Sequence, residues 1–162
     1  MSDVQVRIRV DNEAELAEAL GIAERAPEVT AEVVEGETTE GPDAQIAPIF
    51  AILIGASVIA AAKFVNDVVH SWRDKGVVVD LRPDAPDTVY KDPDLRAGWV
   101  VVVLADGKVT VEVKPAREDA WERLLAELLD GAFESVKSVA DAAKKALGDD
   151  AVKSDDDGET QA

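Results

Sequence analysis

The longest apolar stretch of the chain lies near its middle, at residues 44–74. Its first nineteen residues carry no charge and would be apolar all round if they formed a helix. From Lys63 onward, polar and apolar residues separate into two stripes with the spacing of an amphipathic helix. The pattern predicts one long apolar helix over residues 44–74, and another surface has to cover it.

One face of this predicted helix collects large apolar side chains. At the helical period, the residues that share the face are Ile46, Ile49, Phe50, Leu53, Phe64, Val68 and Trp72. Three kinds of cover remain open: a bilayer, the core of the same subunit, or the axis of an oligomer. If the cover is another molecule, the interaction residues are Phe50, Leu53, Phe64, Val68 and Trp72. Ordinary core packing of the same residues is the alternative.

The sequence gives mixed support to the bilayer alternative. The uncharged run just reaches the roughly 17 to 25 residues that a membrane-spanning helix needs. Ala47, Ala51 and Gly55 have the four-residue spacing that lets helices approach closely in membranes. However, the cations Lys63 and Lys75 follow the run, so the positive-inside rule would require the acidic N-terminal part to be translocated. Membrane contact therefore stays one alternative among three.

Upstream, the pattern predicts a strand, a helix and a second strand. Apolar residues at positions 4, 6, 8 and 10 alternate with polar ones, as in a half-buried strand. Asn12 is placed to cap a helix, with Glu15 three residues later, and Pro27 helps to end that helix. Residues 29–35 alternate again. This order favours a right-handed parallel βαβ crossover, followed by a linker at residues 35–43.

Downstream, the sequence predicts a short strand, a loop and a hairpin. Gly76 is placed to close the long helix, and residues 77–81 are typical of a buried strand. Residues 82–98 are rich in proline and aspartate and predict an irregular loop, with one extended piece at residues 88–90. Asp106 and Gly107 separate two valine-rich runs, which predicts a β-hairpin with a type I′ turn.

These elements together predict an α+β fold with one mixed-sheet domain. It contains an N-terminal βαβ unit, the long apolar central helix, the β-hairpin and C-terminal helices, around a sheet of about five strands. The domain spans residues 1–130 and includes the apolar helix 44–74. Residues 131–148 form a C-terminal helical arm after Gly131, and residues 149–162 form a disordered acidic tail because they contain little apolar surface.

The charge balance excludes some partners. The formal net charge is −17, which argues against nucleic acid and against electrostatic docking on anionic lipid, although a local basic patch stays compatible with it. The chain has no cysteine, so it has no disulfide, thiol nucleophile or thiolate metal site. No secretion-signal pattern begins the sequence. We expect a cytoplasmic protein, membrane-associated if the central helix contacts lipid.

Candidate chemistry is sparse along the chain. His70, the one histidine, has Ser71 beside it, but adjacent helix positions point about 100° apart. No glycine-rich phosphate loop occurs. Asp84, Asp87, Asp92 and Asp94 lack the glycine and glutamate of a calcium loop. Asp80 is expected to point outward or cap the following turn. We predict no enzymatic activity, cofactor, metal or small-molecule substrate.

The layout is similar to that of a known family. The predicted order begins with a strand, a helix, a second strand and an acidic linker. It continues with an alanine- and glycine-rich helix that ends in His70-Ser71-Trp72-Arg73, then a valine-rich hairpin and an amphipathic helix. This order resembles the bacterial effector-associated constant component family over about residues 4–129. The resemblance implies a small non-enzymatic component, encoded with proteases or other effectors in bacterial conflict systems, that acts in recognition or coupling. It brings no catalytic residues.

Two functions follow as expectations. The first is an interaction, sensor or adaptor module of a bacterial conflict system, acting through self-association, partner docking or membrane contact of its apolar helix. The alternative is a structural subunit of a larger assembly, such as a phage particle or a ring, in which the apolar helix and the hairpin bury intersubunit surface.

Overall fold

The computed structural model describes residues 3–35, 50–72, 74–85, 87–114, 117–133 and 135–154. The predicted linker at residues 36–43 and the first part of the predicted helix, residues 44–49, lie outside this range. The described elements are β1 (Asp3–Val10), α1 (Glu13–Glu24), β2 (Thr30–Glu35), β3 (Phe50–Ser57), α2 (Val58–Ser71), β4 (Gly76–Asp80), β5 (Val89–Asp92), β6 (Trp99–Leu104), β7 (Gly107–Glu112), α3 (Glu118–Leu129), α4 (Val136–Leu147) and β8 (Val152–Ser154).

The strands form one mixed sheet in the order β2-β3-β1-β5-β4-β6-β7-β8. The β1–β5 and β4–β6 pairs are parallel, and the other neighbours are antiparallel. The βαβ prediction holds in a modified form, because β1 and β2 run parallel but β3 lies between them. The chain from β1 to β4 thus has the β-α-β-β-α-β connectivity of a split βαβ fold, with β5 inserted between β1 and β4.

The prediction of a long apolar helix over residues 44–74 is wrong. Residues 50–57 form the strand β3, and α2 begins only at Val58, with the Ser57 hydroxyl accepting a hydrogen bond from the backbone N–H of Ala60. The helix ends at Ser71, and Gly76 begins β4, where an added Cβ would collide with Leu95. No helix in the described part of the chain is long and apolar enough to cross a bilayer.

All four helices cover the same side of the sheet. The strand residues in the hydrophobic core alternate, as Val6, Ile8 and Val10 do in β1 and Ile52, Ile54 and Ala56 do in β3. Buried residues of every helix join the same cluster, and α1, α2 and α4 each contact strands directly while α3 packs on α2 and α4. The opposite side of the sheet, here called the open face, carries no described helix.

The hairpin prediction is correct, but its turn is not the predicted one. Leu104 pairs with Gly107, so Ala105 and Asp106 form the turn. Neither has positive φ, which a type I′ turn requires at both central positions. The Asp106 carboxylate instead accepts a hydrogen bond from the Val136 backbone N–H at the start of α4, with both oxygens 3.1 Å away.

The C-terminal residues are part of the domain. The predicted arm contains α4, which packs on β7 and β8 and buries Val136, Val139, Ala140, Ala143 and Leu147. The tail prediction is wrong for residues 149–154. Asp149–Ala151 forms a 3-10 turn, and β8 pairs with β7, because Ala151 and Val152 supply buried apolar side chains and β7 offers a free edge. Residues 155–162 lie outside the described part.

The predicted loop at residues 82–98 contains a central strand. The extended piece expected at residues 88–90 is β5, which joins β1 to β4 and completes the sheet. Its Lys91 is buried to 9% exposure, pairs with the Glu15 carboxylate and lies 5.1 Å from the Trp72 ring centroid. Burial lowers the pKa of the Lys91 ammonium.

Candidate functional site

The five predicted interaction residues do not share a helix face. Phe50 begins β3, and Leu53 lies half-buried on the open face, opposite Arg7 of β1. Phe64 and Val68 of α2 and Trp72, which follows the last residue of α2, have exposures of 1%, 1% and 3%, so they belong to the core. The burial of these three residues fits the core-packing alternative.

The helical layer has a groove between α1 and α2. It consists of two cavities of about 420 and 620 Å³ that share Ile22, Arg25 and Asp67. We call it the helix groove. Its lining residues are Ala17, Glu18, Gly21, Ile22, Arg25, Ala26, Pro27, Glu28, Val29, Ala60, Lys63, Phe64, Asp67, His70 and Ser71.

Small and apolar residues keep the helix groove open. Ala17 and Gly21 line it from α1, and a Cβ added at Gly21 would meet no atom within 4 Å. Ile59, next to the lining residue Ala60, is 74% exposed and is the most exposed large apolar residue of the described part. The groove and its rim can therefore accept apolar side chains from another molecule.

Charges of both signs surround the helix groove. Arg25 and Lys63 lie among its lining residues, as do Glu18, Glu28 and Asp67, and Lys63 is 3.9 Å from Asp67. Helix α1 itself contains four glutamates and no basic residue. At the other end, the Ser71 hydroxyl is buried and has no hydrogen-bond partner in the described structure. The groove thus combines an apolar floor with a rim that is acidic on balance.

A second feature joins α2 to α3. His70 Nδ1 lies 2.9 Å from a Glu118 carboxylate oxygen, and the Asn66 amide donates a hydrogen bond of 3.1 Å to Glu122. The two bonds are one helical turn apart on both helices. Asn66, His70 and Glu118 also line a cavity of about 190 Å³, together with Lys75 and several apolar residues.

The His70–Glu118 pair orients an imidazole but does not form a nucleophile site. An acyl-transfer site would need a hydroxyl or thiol within hydrogen-bond reach of the imidazole. The neighbouring Ser71 hydroxyl makes no hydrogen bond to it in the described structure. The pair therefore acts as a tie between two helices. The sequence did not reveal this contact, because Glu118 is 48 residues away from His70 along the chain.

The acidic residues singled out in the sequence are dispersed in the structure. Asp80 is 3% exposed, and its carboxylate accepts hydrogen bonds from the Arg82 backbone and guanidinium, so it caps the following turn as predicted. These bonds to Arg82 hold the pKa of Asp80 below its usual value. Asp87 pairs with Arg7 at 3.2 Å. No group of three or more metal-ligating side chains occurs among the described residues.

Sequence reasoning did not find the helix groove. One signal was present: an isolated glycine inside a helical pattern, here Gly21, usually has a packing or functional reason. The position of α1 beside α2 depends on the order of the strands in the sheet, and this order could not be predicted from the sequence pattern.

Comparison of the chain with models of known protein families, with curated proteins and with solved structures finds no match.

Proposed function

We propose that the protein is a non-enzymatic interaction module that docks an amphipathic helix of a partner protein in the helix groove. The partner helix would place an apolar stripe on the groove floor and carry lysine or arginine on its flanks. The observation that carries this proposal is the opening between α1 and α2, whose lining combines small and apolar residues with charged ones and which has open space at Gly21.

The shape of the groove supports a helical ligand. Two neighbouring helices form its walls, and helix-in-groove recognition uses apolar anchors spaced at i, i+3, i+4 and i+7. A docked helix that extends past Ala60 toward the start of α2 would also cover Ile59, which is otherwise 74% exposed. Burying such a side chain contributes about 1.5–3 kcal/mol relative to full exposure.

The charge of the molecule supports a basic ligand. The chain carries a net charge of −17, and Glu18 of α1 lies in the groove lining together with Glu28 and Asp67. A field of this sign accelerates the approach of cationic partners and repels acidic ones. The resemblance to the effector-associated family would make the partner an effector enzyme of a bacterial conflict system, and this part of the proposal rests on the resemblance alone.

A designed peptide tests the proposal. The probe is a leucine–lysine peptide of about 18 residues with its leucines on one helical stripe. Chemical-shift mapping on the ¹⁵N-labelled protein should show changes centred on α1 and α2. A scrambled peptide of the same composition and a leucine–glutamate peptide should give much weaker binding, and added salt should weaken the interaction because charge contributes to it.

A matched pair of variants locates the binding site. Gly21→Leu fills the open part of the groove, where the structure has space for the new side chain, and should reduce peptide affinity at least tenfold. Ala105→Leu places the same side chain on the exposed hairpin turn and should leave the affinity unchanged. Unchanged binding by Gly21→Leu, or shifts centred on another surface, would rule out docking in the groove.

A further inference from the structure

The open face differs in charge from the molecule as a whole. Its strand residues with described side chains include four cations and four acids, in a protein of net charge −17. The cations are Arg7, Arg9, Lys108 and Lys153, and the acids are Glu32, Asp80, Asp92 and Glu112. This surface is therefore balanced, and a second copy of the same surface would meet little net repulsion there.

The centre of the open face is apolar. Val78 of β4 pairs with Val101 of β6, and their exposures are 5% and 8%. Tyr90, Trp99 and a third valine, Val103, lie half-buried around them. A sheet face that contacts only solvent normally carries polar side chains, whereas this centre is apolar, as on a sheet face that another surface covers.

Cations lie beside the aromatic residues of this centre. The Arg9 guanidinium is 4.9 Å from the Tyr90 ring centroid, and the Lys153 ammonium is 5.1 Å from the Trp99 ring centroid. An apolar centre with aromatic residues and a charged rim is the usual anatomy of a protein–protein interface, in which tryptophan, tyrosine and arginine are enriched.

The size of the open face suits a dimer. Eight strands spaced about 4.8 Å apart, each several residues long, give a surface of roughly 35 by 20 Å. This footprint of about 700 Å² is close to the roughly 800 Å² that each partner contributes to a standard interface.

We propose that two copies of this chain pack open face against open face around a two-fold axis. The arrangement buries Trp99, Tyr90 and Val103 between two sheets and keeps the acidic helical layers apart on the outside. Both helix grooves would then point outward, so the dimer would present two docking sites. The proposal uses a different surface from the groove and does not depend on it.

Sedimentation velocity of the full chain, over protein concentrations from low to high micromolar, tests the dimer. We expect a reversible monomer–dimer equilibrium. Added salt should strengthen the dimer, because screening reduces the repulsion between two molecules of charge −17. Groove binding has the opposite salt dependence, so the two proposals fail or succeed separately.

Three variants assign the interface. Val103→Glu and Thr110→Arg each place a charge on the open face and should weaken dimerisation at least tenfold, and circular dichroism checks that each remains folded. Ile59→Arg alters the helical layer and should leave the dimer intact. A wild-type monomer at every concentration, a dimer that both folded open-face variants retain, or a dimer that Ile59→Arg abolishes would each overturn the proposal.

Discussion

Asp80 is a buried carboxylate that the sequence only suggested as a turn cap. It follows three valines in β4 and lies on the open face, almost fully buried, where an unpaired carboxylate would be strongly unfavourable. Arg82 resolves this by donating through its backbone N–H and its guanidinium. The pair joins the strand end to the loop that leads to β5.

The pKa of Asp80 predicts how this pair responds to acid. Because the folded-state pKa is below the ordinary value of 3.8, the pair stabilises the protein above about that pH and loses its effect as the pH falls through the lowered pKa. Arg82→Gln should reduce the free energy of unfolding at neutral pH, because the Asp80 carboxylate then loses its charged hydrogen-bond donor. The difference between wild type and variant should shrink in acid, where Asp80 is protonated in both.

Urea unfolding at neutral and acidic pH measures this effect. Arg123→Gln on the exposed surface of α3 is the control and should change stability by no more than about 0.5 kcal/mol. A loss that is equal at both pH values, or no larger than that of the control, would show that the Asp80–Arg82 pair does not stabilise the fold in the way described.

The type of an element could be predicted where polar and apolar residues alternate, and the prediction failed where they do not. In β1 every second residue is polar, so the strand was identified correctly. In β3 both faces carry apolar or small residues, and a continuous apolar run fits a buried strand as well as a helix. Ser57 was the missed signal, since it caps α2 through Ala60.

Asp106 in the turn between β6 and β7 also stabilises the start of α4. Asp106→Ala should reduce the free energy of unfolding by about 1 kcal/mol, as other lost N-terminal caps do. Asp106→Asn should retain part of that stability because its amide oxygen still accepts the Val136 N–H. The control Asp74→Ala removes an exposed carboxylate after α2 and should have little effect.

Hydrogen exchange gives the matching local measurement. The Val136 amide should exchange faster in Asp106→Ala than in wild type, because its acceptor is removed. Unchanged exchange of this amide, together with unchanged stability, would mean that the Asp106 contact contributes nothing to the position of α4.

At the scale of the whole molecule, the sequence supported the α+β class but not the arrangement that creates its surfaces. Strand order depends on pairings such as Ile8 with Val89, which are far apart along the chain and have no local signature. The helix groove and the open face both follow from that order. The apolar face of α2, which the sequence presented as an interaction surface, packs against β1 and β3 inside the core.

The strand conformation of residues 50–57 determines the positions of α2, the helix groove and the open face. If they form β3, then α2 is short, its apolar face is internal, and the groove and the open face exist as described. Nuclear Overhauser contacts between backbone protons of the isotope-labelled protein test this directly. We predict cross-strand contacts from β3 to both β1 and β2 in the register that pairs Ile8 with Ile52 and Val33 with Ile52. A continuous helical series of sequential and i to i+3 contacts from Phe50 through Ser71, without cross-strand contacts, would contradict the account.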